Sequence, residues 1–368
     1  MLFILNNCLI DKIKDDVNII IALDLIAHSR RSGHHIVLGE RKVIKHLTEC
    51  EDLSELARSV YMKIYNQLPI TREYLKNIYL SIEIFSGDKL EIIKTGKFKT
   101  VRLPVSYFTN LSIVCKTVLL FEDINDDTFY KIILRYYLSN HNLSNIRIDY
   151  EPRAGGGQNT HKIFSELQDS EERFCLSILD SDIKAPKLEM GNTAKSVSKI
   201  NDPKKPLCDI FILNLREVEN LMPTLMYKEV FESDINKEEA INFLETLDNS
   251  ELQEARKYLD LKQGLTLEKI FKENLEGEFR KYWINFVSVF HSNIFEKCLK
   301  EGKCLETKSC NCSITKGFGQ NISKEIEKKY NSKNDKSVSH IISDELALEW
   351  NEIGSIITDW CCCSSRIS

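Results

Sequence analysis

The chain has no run of about 18 uninterrupted apolar residues, the length a helix needs to cross a bilayer. The nearest approach, residues 17–27, is broken by Asn18 and Asp24. It does not open with the basic-then-apolar order of a secretory signal peptide. Cysteine is too sparse for a disulfide scaffold, at 12 of 368 residues, or about 3%. Cys115, Cys175 and Cys208 stand singly in apolar surroundings, where a thiol behaves as a small hydrophobe. A reducing, cytoplasmic setting without membrane contact is expected. Positive charge is not in excess: 50 Lys and Arg against 55 Asp and Glu leave a net charge of -5. That excludes coating of nucleic acid and leaves room for a local basic groove. No Gly-Lys-Ser/Thr phosphate loop is present, so ATP hydrolysis by that route is not expected.

What is present is ordinary globular composition, 42% hydrophobic and 29% charged, in a length suited to two or three domains. The reading is an α/β protein in three parts. Residues 1–114 form a mixed α+β domain. Residues 115–235 form a central domain with a mainly parallel sheet and helices on both faces. Residues 236–368 form a helical region with a Cys-rich segment. In the first part Leu2 to Leu5 and His35 to Leu38 read as strands, Asp15 or Asp16 as the cap of a helix through Ile26, and residues 53–66 as a helix. Ile78 to Phe85 and Leu90 to Ile93, joined at Gly87-Asp88, suggest a hairpin. Residues 1–116 hold 17 basic and 13 acidic side chains, so the remainder carries a net charge of -9. The opening FILNNCLID is similar to the first strand of PIN-type nucleases. It offers Asn6 or Asn7 where an anionic metal ligand is needed, so a structural domain is the better reading.

Four apolar runs follow: Thr117 to Phe121, Asn145 to Asp149, Phe174 to Leu179 and Asp209 to Leu213. Helical patterns at Asp127 to Leu138 and Asn159 to Leu167 alternate with them, the signature of right-handed crossovers in a parallel sheet. Ligands of such sheets collect beyond the carboxyl ends of the strands. There the first run ends in Glu122, with Asp126 four residues on, and the third ends in Asp180-Ser181-Asp182. The fourth leads into Leu215-Arg-Glu-Val-Glu-Asn-Leu-Met-Pro223, which carries Glu217 and Glu219. In an extended segment Asp180 and Asp182 point to one side. Two carboxylates held that close call for a cation, and hard divalent ions take such oxygen ligands. Acidic residues at solvated strand ends are common in themselves; it is the set, in order, that points to a metal site.

This order resembles the Toprim domain of topoisomerases, primases and several nucleases, in which a Glu ends the first strand and an Asp-x-Asp ends the third. The fourth segment is similar to that of the overcoming-lysogenization-defect (OLD) nucleases and the standalone Toprim nucleases of anti-phage systems. Asp123 replaces the usual Gly after the Glu. The resemblance spans about a third of the chain. It implies a Mg²⁺- or Mn²⁺-dependent nuclease acting on DNA or RNA, the effector of a prokaryotic anti-phage or toxin-like system. Glu122, Asp180 and Asp182 would be its catalytic residues, and Glu122, Asp126, Asp180, Asp182, Glu217 and Glu219 its metal ligands. Glu122 could instead serve as general acid or base. Since the chain lacks a P-loop, an ATPase or sensor would be a separate partner subunit, and a homo-oligomer is open. The alternative is a Toprim subunit that binds nucleic acid or a partner without cleaving.

Several further residues are candidates. Gly155, Gly156 and Gly157 could let backbone approach substrate or the metal rim, or form a plain turn. Lys184 and Lys187 could neutralise developing charge or track a phosphate backbone, or be merely solvated. They open the stretch nearest to a linker, Lys184 to Pro206. Cys304, Cys310, Cys312 and Cys361 could supply a structural Zn²⁺, although no CxxC pair is present. Lys316-Gly-Phe-Gly319 reads as a tight turn with an exposed aromatic.

Overall fold

A computed structural model of the chain describes residues 1–367 except 72, 74–75, 144, 273–276, 292–294, 305–311 and 331–341. It is a mixed α/β protein built on two sheets in which parallel pairing dominates. The N-terminal sheet comprises β1 (Leu2–Leu5), β2 (Ile36–Gly39), β3 (Leu80–Phe85), β4 (Glu91–Thr95) and β5 (Phe98–Pro104), in the order β2-β1-β3-β5-β4. The helix Val17–Ser32 crosses over between the first two strands. It starts where the Asp16 side chain accepts the Asn18 N–H at 2.9 Å, and it stops at Gly33, φ +78°. The expected hairpin is displaced by one strand: β3 pairs in parallel with β5, and β4 folds back on β5 instead. β4 has all five residues exposed, so apolar alternation could not set its partner. At the carboxyl end of this sheet Asn6 donates to Glu83, and Asn7 to Glu40 at 2.7 Å. Side-chain amides thus satisfy carboxylates there.

The central sheet is wholly parallel, in the order β10-β9-β6-β8, from β6 (Val118–Phe121), β8 (Glu151–Ala154), β9 (Cys175–Leu179) and β10 (Cys208–Ile212). Period-two alternation divides β6 between two cores. Val118 and Leu120 pack with Phe164, Leu167 and Val197 from the helices Thr160–Ser170 and Asn192–Ile200. Leu119 and Phe121 join the larger core, which includes Phe129 and Ile133 of the helix Asp127–Asn140 and runs on into the N-terminal sheet. Coverage of both faces explains why β6 and β9 are buried throughout.

The second strand of this sheet is not Asn145 to Asp149. There β7 (Arg147–Ile148) pairs antiparallel with β13 (Cys362–Cys363), and the sheet strand lies just beyond it at β8. β8 is an edge strand with alternate residues exposed and Glu151 salt-bridged to Arg153 and Arg173, so its polarity hid it. The stretch expected to be linker-like contains the helix Asn192–Ile200. Residues 236–300 break into short helices and one strand, β11 (Gly264–Thr266), which pairs with β12 (Ser313–Lys316). Phe318 is buried, not exposed: its ring stacks on Tyr227, centroids 4.4 Å apart. No helix among the described residues is long and apolar enough to cross a membrane.

The helix Asp344–Cys361, capped by Ser343, lies along the helix Asp127–Asn140 and donates from Trp350 Nε1 to the Leu221 carbonyl at 2.8 Å. The close approach needs Gly354, where an added Cβ would stand 2.4 Å from the Cβ of Tyr137. Gly354→Val is therefore expected to cost about 1–3 kcal/mol of stability by overpacking. Urea unfolding measures it, and an unchanged midpoint would show that this contact does not hold the helix.

Candidate functional site

The carboxyl ends of β6, β9 and β10 bring the predicted acidic residues to one rim. Glu122 follows β6 directly, and its carboxylate lies close enough to the Asp180 backbone and the Thr193 side chain for both to favour its charged form. The two strand ends are therefore in contact. Gly155 donates its N–H to the Phe121 carbonyl at 2.6 Å, and Gly156 and Gly157 donate to the Glu122 carbonyl at 3.1 and 3.3 Å. Gly156 and Gly157 hold left-handed backbone, φ +73° and +60°, which glycine adopts without steric cost. The glycine run thus spends its amides on positioning Glu122 and has none to offer a phosphate.

Asp123 explains its departure from glycine. Its backbone is extended, φ -123°, so glycine is not required there. Its side chain accepts the Asn125 N–H, and Asp126 Oδ2 accepts the Asp123 N–H at 3.2 Å. This reciprocal cap turns Asp126 inward to 8% exposure. Asp180 Oδ1 accepts the Val218 N–H at 3.0 Å, tying β9 to the segment after β10. Asp182 does not continue an extended strand: it is left-handed at φ +54°, with its N–H on the Arg216 carbonyl. An added Cβ at Gly191 would stand 2.4 Å from Asp182 Oδ2, so the strand end is closely walled.

Glu217 and Glu219 enter on a turn fixed by Asn220. The Asn220 amide nitrogen donates to the Arg256 and Leu259 carbonyls, and its oxygen accepts the Glu217 N–H. Glu219 is fully buried. Its partner is a residue outside the predicted set: Lys262 Nζ lies 2.9 Å from Glu219 Oε1 and 3.9 Å from Glu217 Oε2. The contact with Glu219 is an ion pair whose angles fall outside a hydrogen bond. Arg216 flanks the group, 3.4 Å from Glu217 and 3.1 Å from Asp260. Of the two predicted lysines, Lys184 lies near enough to act on Asp182. Lys187 is exposed, in a left-handed turn.

Lys262 is held from outside the site. Gly317 packs so tightly that an added Cβ would stand 2.1 Å from the Lys262 carbonyl oxygen, and the Gly319 N–H donates to that same oxygen. Phe318, between them, stacks on Tyr227, whose hydroxyl donates to the Glu219 carbonyl at 2.9 Å. One aromatic pair therefore fixes both members of the ion pair.

Burial dominates the electrostatics. It pushes the Glu122, Asp126 and Glu217 carboxyls up to about 7 each. Neighbouring carboxylates add to this at Glu122, through Asp182 and Asp126, and at Asp126, through Glu219. Asp180 is raised well above the carboxylate range by burial and by Asp126, Glu219 and Glu122. At Asp182 burial raises the group while Arg216, Lys184 and Lys262 pull it down. Burial lowers the Lys262 ammonium, but Glu219 and Glu217 reverse this and leave it raised. Glu122 Oε1, Glu217 Oε2 and both Glu219 carboxylate oxygens are buried without a hydrogen-bond partner. Among the described residues no three His, Cys, Asp or Glu side chains stand in an arrangement that holds a metal ion.

The cysteines are divided. Cys312 Sγ lies 3.6 Å from Cys298 Sγ, and Cys310 falls outside the described residues. Cys361 lies apart from them, buried beside the Met1 amino group, Cys362, Cys363 and Asp149. Comparison of the chain with protein-family models, with curated proteins and with solved structures finds no match.

The raised carboxyls make a stability prediction. Their folded pKa values near 7 exceed the unfolded value near 4, so the folded state binds protons more tightly. The contribution of these groups to stability is then greatest below about pH 4 and is lost as pH rises through about 7. In EDTA the melting temperature should drop between pH 5 and pH 8, and Glu122→Gln or Glu217→Gln should flatten the drop. Equal slopes in wild type and variants would contradict this account of the site.

Proposed function

We propose that the chain is a metal-dependent nuclease of Toprim type, hydrolysing phosphodiester bonds of DNA or RNA at the rim formed by Glu122, Asp126, Asp180, Asp182, Glu217 and Glu219. One observation carries the reading: carboxylates from separate strand ends are buried together, Lys262 is ion-paired with Glu219 among them, and several of their oxygens lack a hydrogen-bond partner. Hard anionic oxygens in that state suit Mg²⁺ or Mn²⁺. As they stand no three of these groups ligate one ion; after side-chain shifts, Glu122, Asp180 and Asp182, with Asp126 and Glu219, are the residues that would hold such ions. Bound there, a divalent ion supplies charge neutralisation and a water acidic enough to attack near neutral pH.

The chain's own groups have distinct tasks. Glu122, with a carboxyl near 7, is able to accept or return a proton at neutral pH. Lys262, fixed through its backbone and paired with Glu219, presents a preorganised positive charge where negative charge develops on the scissile phosphate. Lys184, beside Asp182, is placed to meet the adjacent phosphate. The glycine run and the cap at Asp123 keep Glu122 and Asp126 in position without contacting substrate. The role in anti-phage defence, with a separate ATPase or sensor subunit, extends the same resemblance and follows from no contact in this chain.

With Mg²⁺ or Mn²⁺ on plasmid, single-stranded DNA and tRNA, wild type should cleave at least one substrate. Glu122→Gln and Asp180→Ala should abolish cleavage while remaining folded by circular dichroism. Lys262→Ala should lower kcat by about 10²–10³. Binding without cleavage by wild type would instead favour the non-catalytic Toprim subunit, and cleavage unchanged by both carboxylate substitutions would remove the site.

A further inference from the structure

Two cavities, one beside the edge of the central sheet and one against the helix Val17–Ser32, are lined by cations that the cleavage site does not use. The first, about 650 Å³, lies beside edge strand β8 and contains Lys131, Arg135 and Arg147 around an apolar lining that includes Leu138, Ile148 and Tyr150. The second, about 560 Å³, is lined by His28, Arg31, Ser32, His34, Arg366 and Ile367, with no carboxylate among the described residues of its wall.

They are neighbours. Arg147 and Ile148 of the first cavity pair with Cys363 and Cys362, and the chain runs from there to Arg366 in the second. That segment is pinned where Ile367 donates its N–H to the Arg31 carbonyl at 2.9 Å. Asp149, on the wall of the first cavity, is ion-paired with Lys116 at 2.7 Å and acts electrostatically on His34 in the second. At its other end the first cavity is tied to Asp127, the residue after Asp126 of the rim. Lys131 Nζ lies 2.6 Å from Asp127, next to Asp126, and the Tyr150 hydroxyl donates to Asp127 at 2.5 Å. Strand β8 also leads from Pro152 in the cavity to Gly155, which docks on the end of β6.

Lys131 and Lys116 are already spent on Asp127 and Asp149. Among the described residues, however, Arg31, Arg147 and Arg366 stand in no ion pair with a carboxylate, and all three are exposed. The arginines lie beside the amino-terminal end of the central sheet, where Asp149 donates its N–H to the Cys361 carbonyl and the Thr117 hydroxyl donates to the Trp360 carbonyl. Lys131 and Tyr150 carry the same edge on toward Asp127, so the row suits a polyanion that runs along this edge to the rim. The apolar pocket with Tyr150 at the near end has the size of a small-ligand cleft. It can take an unstacked base, which a duplex does not offer.

Resting on the nuclease reading above, we propose that this band binds the backbone of single-stranded nucleic acid flanking the cleavage point. Arg147, Arg31 and Arg366 contact successive phosphates, and a base lodges against Tyr150.

The test is fluorescence polarisation in EDTA, so that binding is read without cleavage. Labelled single-stranded DNA and RNA of about 20 nucleotides, and a duplex of equal length, span more than one binding footprint. Arg31→Glu/Arg366→Glu and Arg147→Glu should each weaken single-strand binding about tenfold or more. The double variant should reduce the slope of log affinity against log salt by about 1.4, at roughly 0.7 per phosphate. Arg31→Gln/Arg366→Gln, a milder change at exposed positions, should show the same loss in smaller degree, and melting curves confirm folding. Affinity unchanged in all variants overturns the proposal, even if the wild type cleaves. A duplex bound as tightly as the single strand and weakened equally overturns the single-strand assignment. Binding lost as predicted in a protein that never cleaves supports the band and removes only the nuclease reading.

Discussion

The ion pair between Lys262 and Glu219 is what allows the acidic rim to exist inside the fold. Two unit charges about 4 Å apart interact by roughly 4 kcal/mol at an effective dielectric of 20. Several carboxylates sharing a desolvated rim would spread apart or remain protonated without a cation between them. One ammonium covers part of the deficit. Glu219, fully buried, takes it, and Glu217 shares it at longer range. Glu122, Asp126 and Asp180 remain raised because burial desolvates them and neighbouring carboxylates repel, and the positive charge nearby does not offset both. The rim is therefore poised to gain from added positive charge. That shortfall, more than any one residue's identity, is the physical content of the metal reading.

Holding that pair in place draws on distant parts of the chain. Glu219 is fixed through its carbonyl by Tyr227, and Lys262 by the backbone of residues 317–319, while Tyr227 and Phe318 stack on each other. Arg256 braces the same turn by donating to Thr224 and the Met222 carbonyl and pairing with Asp248 at 2.7 Å. Trp350 closes it from the helix Asp344–Cys361. Removing one member of a buried pair of this kind typically costs about 3–5 kcal/mol, because the other charge is left uncompensated. The segments after residue 236 are thus structural parts of the rim.

Much of this was legible in the sequence. The apolar runs that became β6 and β9 are covered on both faces, so burial and hydrophobicity coincide. β10, a partly buried edge strand, keeps an apolar run as well, and the carboxylates after the three strands could be placed from strand order alone. The polar edge strand β8 could not be seen that way, because one face meets solvent and its Glu151 pairs with arginines. Lys262 was invisible for another reason. It stands in a charged stretch that reads as solvated, and it becomes part of the site only because Gly317 allows the backbone of residues 262–263 to approach. A local signal did exist in Lys316-Gly-Phe-Gly319, but it read as an exposed turn, since nothing in it shows that Phe318 stacks on Tyr227. The extended geometry expected for Asp180 to Asp182 failed at Asp182, where the Arg216 carbonyl captures its N–H and turns the backbone left-handed.

A net charge of -5 is compatible with a polyanionic substrate because the charges are segregated. The first 116 residues carry the basic excess, and the fold brings one end of it, at Arg31 and His34, against the chain's last residues. The acidic rim lies at the carboxyl end of the central sheet, with Lys131 and Tyr150 bound to Asp127 at the border between the two regions. Exposed charges farther apart than about 8 Å are largely screened at physiological ionic strength, and the arginines stand at the amino-terminal end of the central sheet while the rim stands at its carboxyl end. On the proposed reading, an approaching phosphate backbone would meet attraction before repulsion. The repulsion that remains at the rim falls where Lys262 and any bound cation are positioned to offset it.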